Sequence, residues 1–177
     1  MENKTTWVID PTHSEIQFKV KHLVISTVTG GFDVFEGAVS TNGNDFSNAG
    51  IEFTADVNSI NTNQVDRDNH LKSVDFFDVA NHPKLTFRST GFKKTGDSAF
   101  LMTGNLTIRG TTKAVNIQVD FGGIAVDPYG NTKAGFELSG KINRKDFGLA
   151  WSALTETGGL VVADEIKLQM NVELIRQ

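Results

Sequence analysis

Residues 15–22 read EIQFKVKH, and this strict alternation of apolar and polar side chains decides the fold class. Ile16, Phe18, Val20 and His22 fall on one face of an extended chain, and the charged and amide side chains fall on the other. A β-strand that is buried on one face and wet on the other has this period of two. A helix would scatter the same residues around its axis, so the stretch predicts a half-buried strand.

The same alternation recurs as far as the C-terminal segment 165–174, which places five apolar residues on one face. Asn48-Ala49-Gly50 and Arg109-Gly110-Thr111 have the composition of turns between strands. With residues 15–22 and 165–174, the candidates make eight long strands and one short leading strand. The remaining candidates are Trp7 to Ile9, Phe32 to Thr41, Ile51 to Ser59, Lys84 to Phe92, Phe100 to Ile108, Val115 to Phe121, and Ala134 to Asn143.

Two stretches interrupt the alternation. The first, residues 64–78, spaces Leu71, Val74 and Phe77 three apart and carries acids early, so it predicts one short helix. The second, residues 145–162, has no clear period and predicts a long loop with helical turns. Neither stretch has the composition of a linker, so we expect a single domain over residues 1–177.

Eight strands joined mostly by hairpins fit two architectures, a two-sheet sandwich or a closed up-and-down barrel. The alternation does not decide between them. The aromatic residues are 13 Phe against two Trp and one Tyr, and Phe has no polar atom that needs a partner when it is buried. In a closed eight-stranded barrel such a face either fills the interior or surrounds one small ligand.

Composition excludes several classes of function. The net charge of −4 and the pI of about 5.5 argue against a protein that binds nucleic acid. The absence of cysteine excludes disulfides and thiolate metal sites. No apolar stretch is long enough for a transmembrane span or a signal-peptide core, so we expect a cytoplasmic protein, or a periplasmic one if a leader has been removed.

The sequence contains no recognised catalytic, phosphate-binding or metal-binding motif, and its four histidines lack the spacing of a zinc site. We therefore predict no catalytic residue, no metal and no cofactor. The densest polar cluster, residues 66–70, has two interpretations. It could be an acid–base site with an arginine clamp, or the acidic first turn of a helix, and the positions of its acids favour the helix.

The order of several short motifs resembles the YceI-like, or polyisoprenoid-binding, family along almost the whole chain. The matching blocks are Asp10-Pro11-Thr12-His13-Ser14, Phe18-Lys19-Val20-Lys21-His22-Leu23, Gly31-Phe32, Phe35-Glu36-Gly37, Ser59-Ile60-Asn61-Thr62, Arg67-Asp68-Asn69-His70-Leu71-Lys72-Ser73, Phe76-Phe77-Asp78, His82-Pro83, Gly104-Asn105-Leu106-Thr107-Ile108-Arg109-Gly110, Gly135-Phe136 and Arg144-Lys145-Asp146-Phe147-Gly148.

The resemblance implies a lipocalin-like, eight-stranded antiparallel barrel, often a homodimer, whose elongated apolar pocket carries a long-chain isoprenoid lipid or a comparable amphiphile. It thereby favours the barrel over the sandwich. A fold and a ligand class define this family, so the resemblance transfers no catalytic residues.

Strand phase then predicts the residues that contact the ligand. We expect the tail to lie among inward-facing residues and under a lid or mouth, with the polar head at the rim near His22, Arg109 or Arg144. The full predicted set is Phe18, Val20, His22, Phe53, Phe76, Phe77, Phe87, Leu106, Ile108, Arg109, Val119, Phe136, Leu138, Arg144, Trp151 and Met170.

Two other hypotheses compete with a carrier. The first is an enzyme that acts on such a lipid, with His22 and either Arg67 or Asp68 in acid–base and clamping roles. The second is a structural or stress-related barrel whose core is filled by its own side chains.

Overall fold

The computed structural model describes residues 4–152 and 161–177, which form eleven strands and one α-helix. None of the helices in these two ranges is long and apolar enough to cross a bilayer. The elements are β1 (Lys4–Ile9), β2 (Glu15–His22), β3 (Ser26–Phe32), β4 (Phe35–Asn42), β5 (Asp45–Asp56), β6 (Ile60–Asn61), α1 (Val65–Lys72), β7 (Lys84–Lys94), β8 (Ala99–Ile108), β9 (Thr111–Val126), β10 (Thr132–Asn143) and β11 (Val162–Arg176).

The strands form a closed, eight-stranded antiparallel barrel, which confirms the predicted fold. Three pairs of successive strands, β1 with β2, β3 with β4 and β5 with β6, each make one interrupted crossing of the barrel. The other crossings are β7, β8, β9, β10 and β11, each hydrogen-bonded to the next. Pairing of Trp7 to Ile9 with Leu174 to Arg176 joins the first crossing to the last. No unpaired edge remains at this seam.

The predicted strands differ from the observed ones at several places. The predicted strand Phe32 to Thr41 is divided between β3 and β4, and the predicted strand Ile51 to Ser59 ends at Asp56, before a 3-10 turn at Val57–Ser59. Ser26–Phe32 is a strand that pairs with β2, although its threonines and glycines gave no apolar alternation. Asn48 lies inside β5 with a φ of 61°, where the sequence suggested a turn. The asparagine therefore accommodates an irregularity within a strand, and β5 begins at Asp45.

The helix is shorter than predicted, because α1 ends at Lys72 and residues 73–81 form a series of turns. Ser73 is extended, and the amides of Phe77 and Val79 cap the last helical carbonyls, those of Leu71 and Lys72. In the predicted loop 145–162, a single 3-10 turn spans Arg144–Phe147. Residues 153–160 of that loop lie outside the described residues.

Arg144 holds the connection between β10 and β11 in place from a position with only 2% of its surface exposed. Its guanidinium donates to the carbonyl oxygens of Ala163, Leu149 and Trp151 at 3.0, 2.7 and 2.6 Å. Longer contacts of 3.4 Å reach the Val162 carbonyl and the Asp164 carboxylate. Burial lowers the pKa of the guanidinium, and the negative charge of Asp164 opposes that shift. Five N–H donors thus meet five acceptors within the chain.

A second polar network lies where β1 breaks into β2. The buried carboxylate of Asp10 accepts from Thr12 and His13 of the following 3-10 turn and from the Lys133 ammonium at 2.9 Å. Lys133 also lies 2.9 Å from the Glu173 carboxylate, so one ammonium ties three barrel crossings together. The hydrogen bond from Lys133 holds the pKa of Asp10 far below its ordinary range, against the opposing effect of burial. The hydrogen bonds to Asp10 and Glu173 raise the pKa of Lys133.

The Asp10 network should make stability depend on pH. A carboxyl with a depressed native pKa stabilises the fold above its unfolded pKa of about 3.9, and the contribution is lost as the pH falls toward the lower native pKa. We expect Asp10→Asn to lower the melting temperature at pH 7, by about 2–4 °C for each kcal/mol lost. The difference in melting temperature between Asp10→Asn and the wild type should become smaller below about pH 4. Asp97→Asn, at an exposed turn, is the control, and equal melting temperatures for Asp10→Asn and wild type would contradict the assignment.

Arg144 should not be replaceable by lysine. An ammonium cannot donate to acceptors spread over five residues, and each buried carbonyl left without a donor costs about 1–3 kcal/mol. We expect Arg144→Lys to lower the free energy of unfolding by at least about 2 kcal/mol in urea denaturation. The matched variant Arg88→Lys alters an exposed ion pair with Glu52 and should change stability by less than about 0.5 kcal/mol. Similar small losses in both variants would show that the Arg144 donors are dispensable.

Candidate functional site

The barrel encloses a cavity of about 240 Å³ that runs along its length. Its lining extends along β11 from Ile166 to Leu174, a distance of about 27 Å at 3.4 Å per residue. Almost all lining side chains are apolar. Glu52 borders the cavity but turns its carboxylate outward to Arg88, so Arg144 is the charged side chain that remains at the wall.

The inward-facing side chains that line the cavity differ in how much accessible surface they keep. On β7 and β8 the inward residues Phe87, Met102 and Leu106 are buried. On β11 the inward residues, such as Leu168 and Met170, keep partly accessible surface although they point away from solvent. Those of β2 and the β10 residues Leu138 and Ile142 behave in the same way, whereas Phe136 of β10 is buried. All of these strands line the cavity, and the accessible inward surface is greatest on β2 and β11.

Strand β3 passes close behind the ring of Phe18, one of the rings that line the cavity. A Cβ atom at Gly30 would lie 2.6 Å from the ring of Phe18 and 2.7 Å from the Thr62 methyl group. Only glycine lets β3 pass behind that ring without displacing it into the cavity.

Aromatic residues on strands close the end of the barrel where β1 begins. Phe46 lies 5.1 Å from Trp7, 5.5 Å from Phe121 and 5.0 Å from Phe136 between ring centroids. The Trp7 indole also donates to the Thr41 hydroxyl at 2.9 Å. Because these residues belong to the hydrogen-bonded ladder, this end is a fixed plug.

The opposite end is covered by a lid, which we define as residues 62–82 together with 144–152. Leu71, Phe76 and Phe77 of the lid reach the cavity lining. Asp68 accepts hydrogen bonds from the backbone and hydroxyl of Thr62, and Arg67 donates to the same hydroxyl and to the Thr62 carbonyl. Asp66 and Asp68 lie in the first helical turn, as the helix interpretation predicts, but the N-cap is Gln64, whose side chain accepts from the Arg67 amide. The polar cluster fastens the start of the helix to Thr62.

The two parts of the lid meet through rings and one arginine. His70 lies edge-on to Trp151 and Phe76, with centroids 4.7 and 5.1 Å away, and also contacts the Asp75 carboxylate at 2.9 Å. Arg109 donates to the carbonyls of Phe76 and Gly148 at 2.9 and 3.2 Å. Side chains therefore hold the lid, whereas the plug is part of the strand ladder.

Most of the predicted contact residues line the cavity, and three do not. The thirteen that do are Phe18, Val20, Phe53, Phe76, Phe77, Phe87, Leu106, Ile108, Val119, Phe136, Leu138, Arg144 and Met170. His22 pairs with Ser26 and Val162 at the rim, Arg109 joins the lid segments, and Trp151 packs behind Phe76. Which of the sixteen touch a ligand stays a prediction.

Sequence analysis missed further lining residues, and most have the same phase as those it found. Ile166, Leu168 and Val172 share the face of Met170 and belong to the alternation noted in residues 165–174. Extending the phase argument along each whole strand would have identified them. Phe46 gave no such signal, because Asn48 appeared to begin a turn rather than interrupt a strand.

Two polar groupings bear on chemistry. Within residues 4–152 and 161–177, Asp10, His13 and Glu173 are the His/Asp/Glu group close enough to hold a metal ion. The Lys133 ammonium already lies between the two carboxylates of that group. The geometry does not favour the acid–base hypothesis either. Arg67 and Asp68 both form hydrogen bonds with Thr62, and neither residue lines the cavity.

Comparison with known proteins places this architecture in a family. A UPF0312 protein of Pectobacterium carotovorum is 39% identical over 165 residues, which cover 93% of this chain and 82% of that protein. The crystal structure of the Campylobacter jejuni YceI protein is 35% identical, with a TM-score of 0.77 over 89% of this chain and 90% of that one. A polyisoprenoid-binding domain from Saccharophagus degradans shares the fold, with a TM-score of 0.71 at 16% identity over 97% of this chain and 98% of that one. The model of the YceI-like domain matches residues 7–174, and the chain belongs to this family.

Proposed function

We propose that this protein binds and carries a long-chain hydrophobic or amphiphilic molecule, a polyisoprenoid lipid, inside the barrel. The observation that carries the proposal is the apolar cavity, about 240 Å³ in volume, that the inward faces of the strands enclose. Burial of hydrocarbon in such a cavity is favourable in proportion to the area removed from water.

The lining limits the chemistry of the buried part of the ligand. A buried hydroxyl or amide without a partner costs several kcal/mol, and the donors of Arg144 are engaged with the chain. A hydrocarbon chain has no polar groups to satisfy. The polar head of an amphiphile therefore belongs at the lid end, near the rim positions of His22 and Arg109.

Two observations support an isoprenoid among the long-chain candidates. The Saccharophagus degradans domain that shares this fold is described as polyisoprenoid-binding. The lining is built mainly from Phe, Leu, Ile and Val, whose branched and aromatic surfaces suit a methyl-branched chain.

Carriage without chemistry is the form of the function that the site supports. The residues considered for acid–base roles, His22, Arg67 and Asp68, are not among the lining residues. Arg67 and Asp68 have structural roles in holding the lid to Thr62. A reacting group of a buried chain would meet mostly apolar side chains in the body of the cavity, and the donors of Arg144 at its wall are engaged with the chain.

The direct test is identification of a copurified ligand. We expect an organic extract of gently purified protein to contain a long-chain isoprenoid in near one-to-one ratio, measured by mass spectrometry. The delipidated protein should bind geranylgeraniol in competition with the fluorescent apolar probe N-phenylnaphthylamine. An extract free of lipid, together with no binding of either compound, would contradict the proposal.

Filling the cavity should remove binding without unfolding the protein. Met170 points into the cavity from β11, and its neighbour Gln169 points outward. We expect Met170→Trp to weaken binding of N-phenylnaphthylamine at least about tenfold, because the larger ring occupies the space of the tail. Gln169→Trp on the outer face should bind the probe as wild type does.

The same pair of variants separates a carrier from a barrel with a filled core. If side chains filled the interior, Met170→Trp would overpack it and cost about 1–3 kcal/mol of stability. An open cavity accepts the ring with a smaller loss, as measured by urea denaturation.

A further inference from the structure

The turn between β2 and β3 exposes three large apolar side chains in succession. Leu23, Val24 and Ile25 are 37%, 75% and 82% exposed. Single exposed apolar residues are ordinary on protein surfaces, but a consecutive group at the tip of a hairpin marks a candidate interaction site.

The backbone fixes this turn in an unfavourable conformation. Leu23 and Val24 have φ values of 54° and 63°, a region that β-branched residues such as valine rarely adopt. The Ile25 amide closes the turn on the His22 carbonyl at 3.2 Å, and the Leu23 amide donates to the Val161 carbonyl at 2.9 Å. Asparagine or glycine would fit these angles with less strain, so the apolar side chains are not required by the turn itself.

The turn lies at the lid end of the barrel. The same end carries Arg109 and the two lid segments, and the plug with Trp7 and Phe46 lies at the other end. In the part of the chain that the structure describes, side-chain contacts hold the lid whereas the plug belongs to the strand ladder, so we expect a ligand to enter at the lid end. The exposed apolar turn is therefore placed beside the route into the cavity.

Lysines form a row on the outer wall just behind the turn. Lys19 of β2 is in register with Lys167 of β11, which is in register with Lys141 of β10. Like charges directly opposite each other on neighbouring strands are unfavourable. Within residues 4–152 and 161–177, Lys141 has an ion pair with Glu165 at 3.6 Å, while Lys19 and Lys167 have none. We call these three residues the lysine row.

The spacing between the turn and the lysine row matches the boundary of a lipid bilayer. Four residues separate Lys19 from Leu23, about 14 Å along an extended strand. Apolar groups of interfacial segments enter about 5–10 Å into the boundary between head groups and acyl chains. With the turn inserted to that depth, the ammonium groups stand at the level of the phosphates.

We propose that the protein docks on an anionic lipid surface through Leu23, Val24, Ile25 and the lysine row. The lid at the same end carries exposed acids, including Asp66, Asp75 and Asp146, so we expect the barrel to tilt toward the lysine-bearing wall, which keeps the lysine row near the head groups and turns the lid acids away from them. The strands of this wall are among those that line the cavity. The docking itself does not depend on the proposed function. The purpose that we assign to it, exchange of a lipid with the bilayer, rests on the proposed function.

Vesicle sedimentation tests the proposal with the whole chain. We expect the wild type to sediment with vesicles of equimolar phosphatidylcholine and phosphatidylglycerol, and far less with phosphatidylcholine alone or at high salt. Val24→Ser with Ile25→Ser should weaken binding to the mixed vesicles about tenfold or more. Lys19→Gln with Lys167→Gln should weaken it by about fivefold for each lysine.

A matched control exists at the other end of the barrel, where Val126 and Tyr129 are 68% and 89% exposed. Val126→Ser with Tyr129→Ser should leave vesicle binding unchanged. No sedimentation of the wild type, or an equal loss in the control pair, would overturn the proposal. A further result would also overturn it: a wild-type dimer that dissociates when Val24 and Ile25 are replaced by Ser, while vesicle binding persists. The turn would then contact a second copy of the chain.

The readouts separate this proposal from the carrier function. Neither substituted pair lines the cavity, so binding of N-phenylnaphthylamine in solution should remain at the wild-type level in both. A wild type that binds vesicles but not the probe would contradict the carrier function and support the docking surface. A wild type that binds the probe but not vesicles would support the carrier function and contradict the docking surface.

Discussion

Closure of the strand ladder between β1 and the end of β11 is the constraint on which the other features depend. Trp7 to Ile9 pair with Leu174 to Arg176, and β2, the second part of the same crossing, pairs with Val162 to Asn171 of β11. Once this seam is closed, every strand has an inside and an outside, and the period of two assigns each side chain to one of them. An open sandwich with the same sequence would bring its two apolar faces together and leave no enclosed space. The Asp10, Lys133 and Glu173 contacts stand beside this seam and link the first crossing to β10 and β11 through charged side chains.

Sequence reasoning reached the strands because alternation is a local signal. The phase of β2 and β11 was sufficient to place Phe18 and Met170 at the cavity wall. Closure of the barrel has no local signal, since it depends on the pairing of Trp7 with Arg176 at the other end of the chain. The prediction of closure came from the resemblance to the family and not from the alternation.

The features that the sequence did not reveal have specific causes. Asn48 has the composition of a turn yet sits within β5, because one positive φ can interrupt a ladder without ending it. The arginines were expected at a rim as head-group ligands. Arg144 is instead buried in carbonyl contacts, and its neighbouring residues give no signal of the acceptors at positions 162–164. The lid shows the same limit, because the meeting of His70 with Trp151 joins segments about eighty positions apart.

The unequal packing of the barrel has a consequence for how such proteins diversify. The inward residues Phe87, Met102 and Leu106 of β7 and β8 are buried, whereas Leu138 of β10 and Leu168 of β11 keep accessible surface, although all of them line the cavity. A change of size at Leu168 or Leu138 therefore disturbs fewer packed neighbours than the same change at Met102. Substitutions at these more accessible positions are the ones that alter the shape of the interior at the lowest cost in stability.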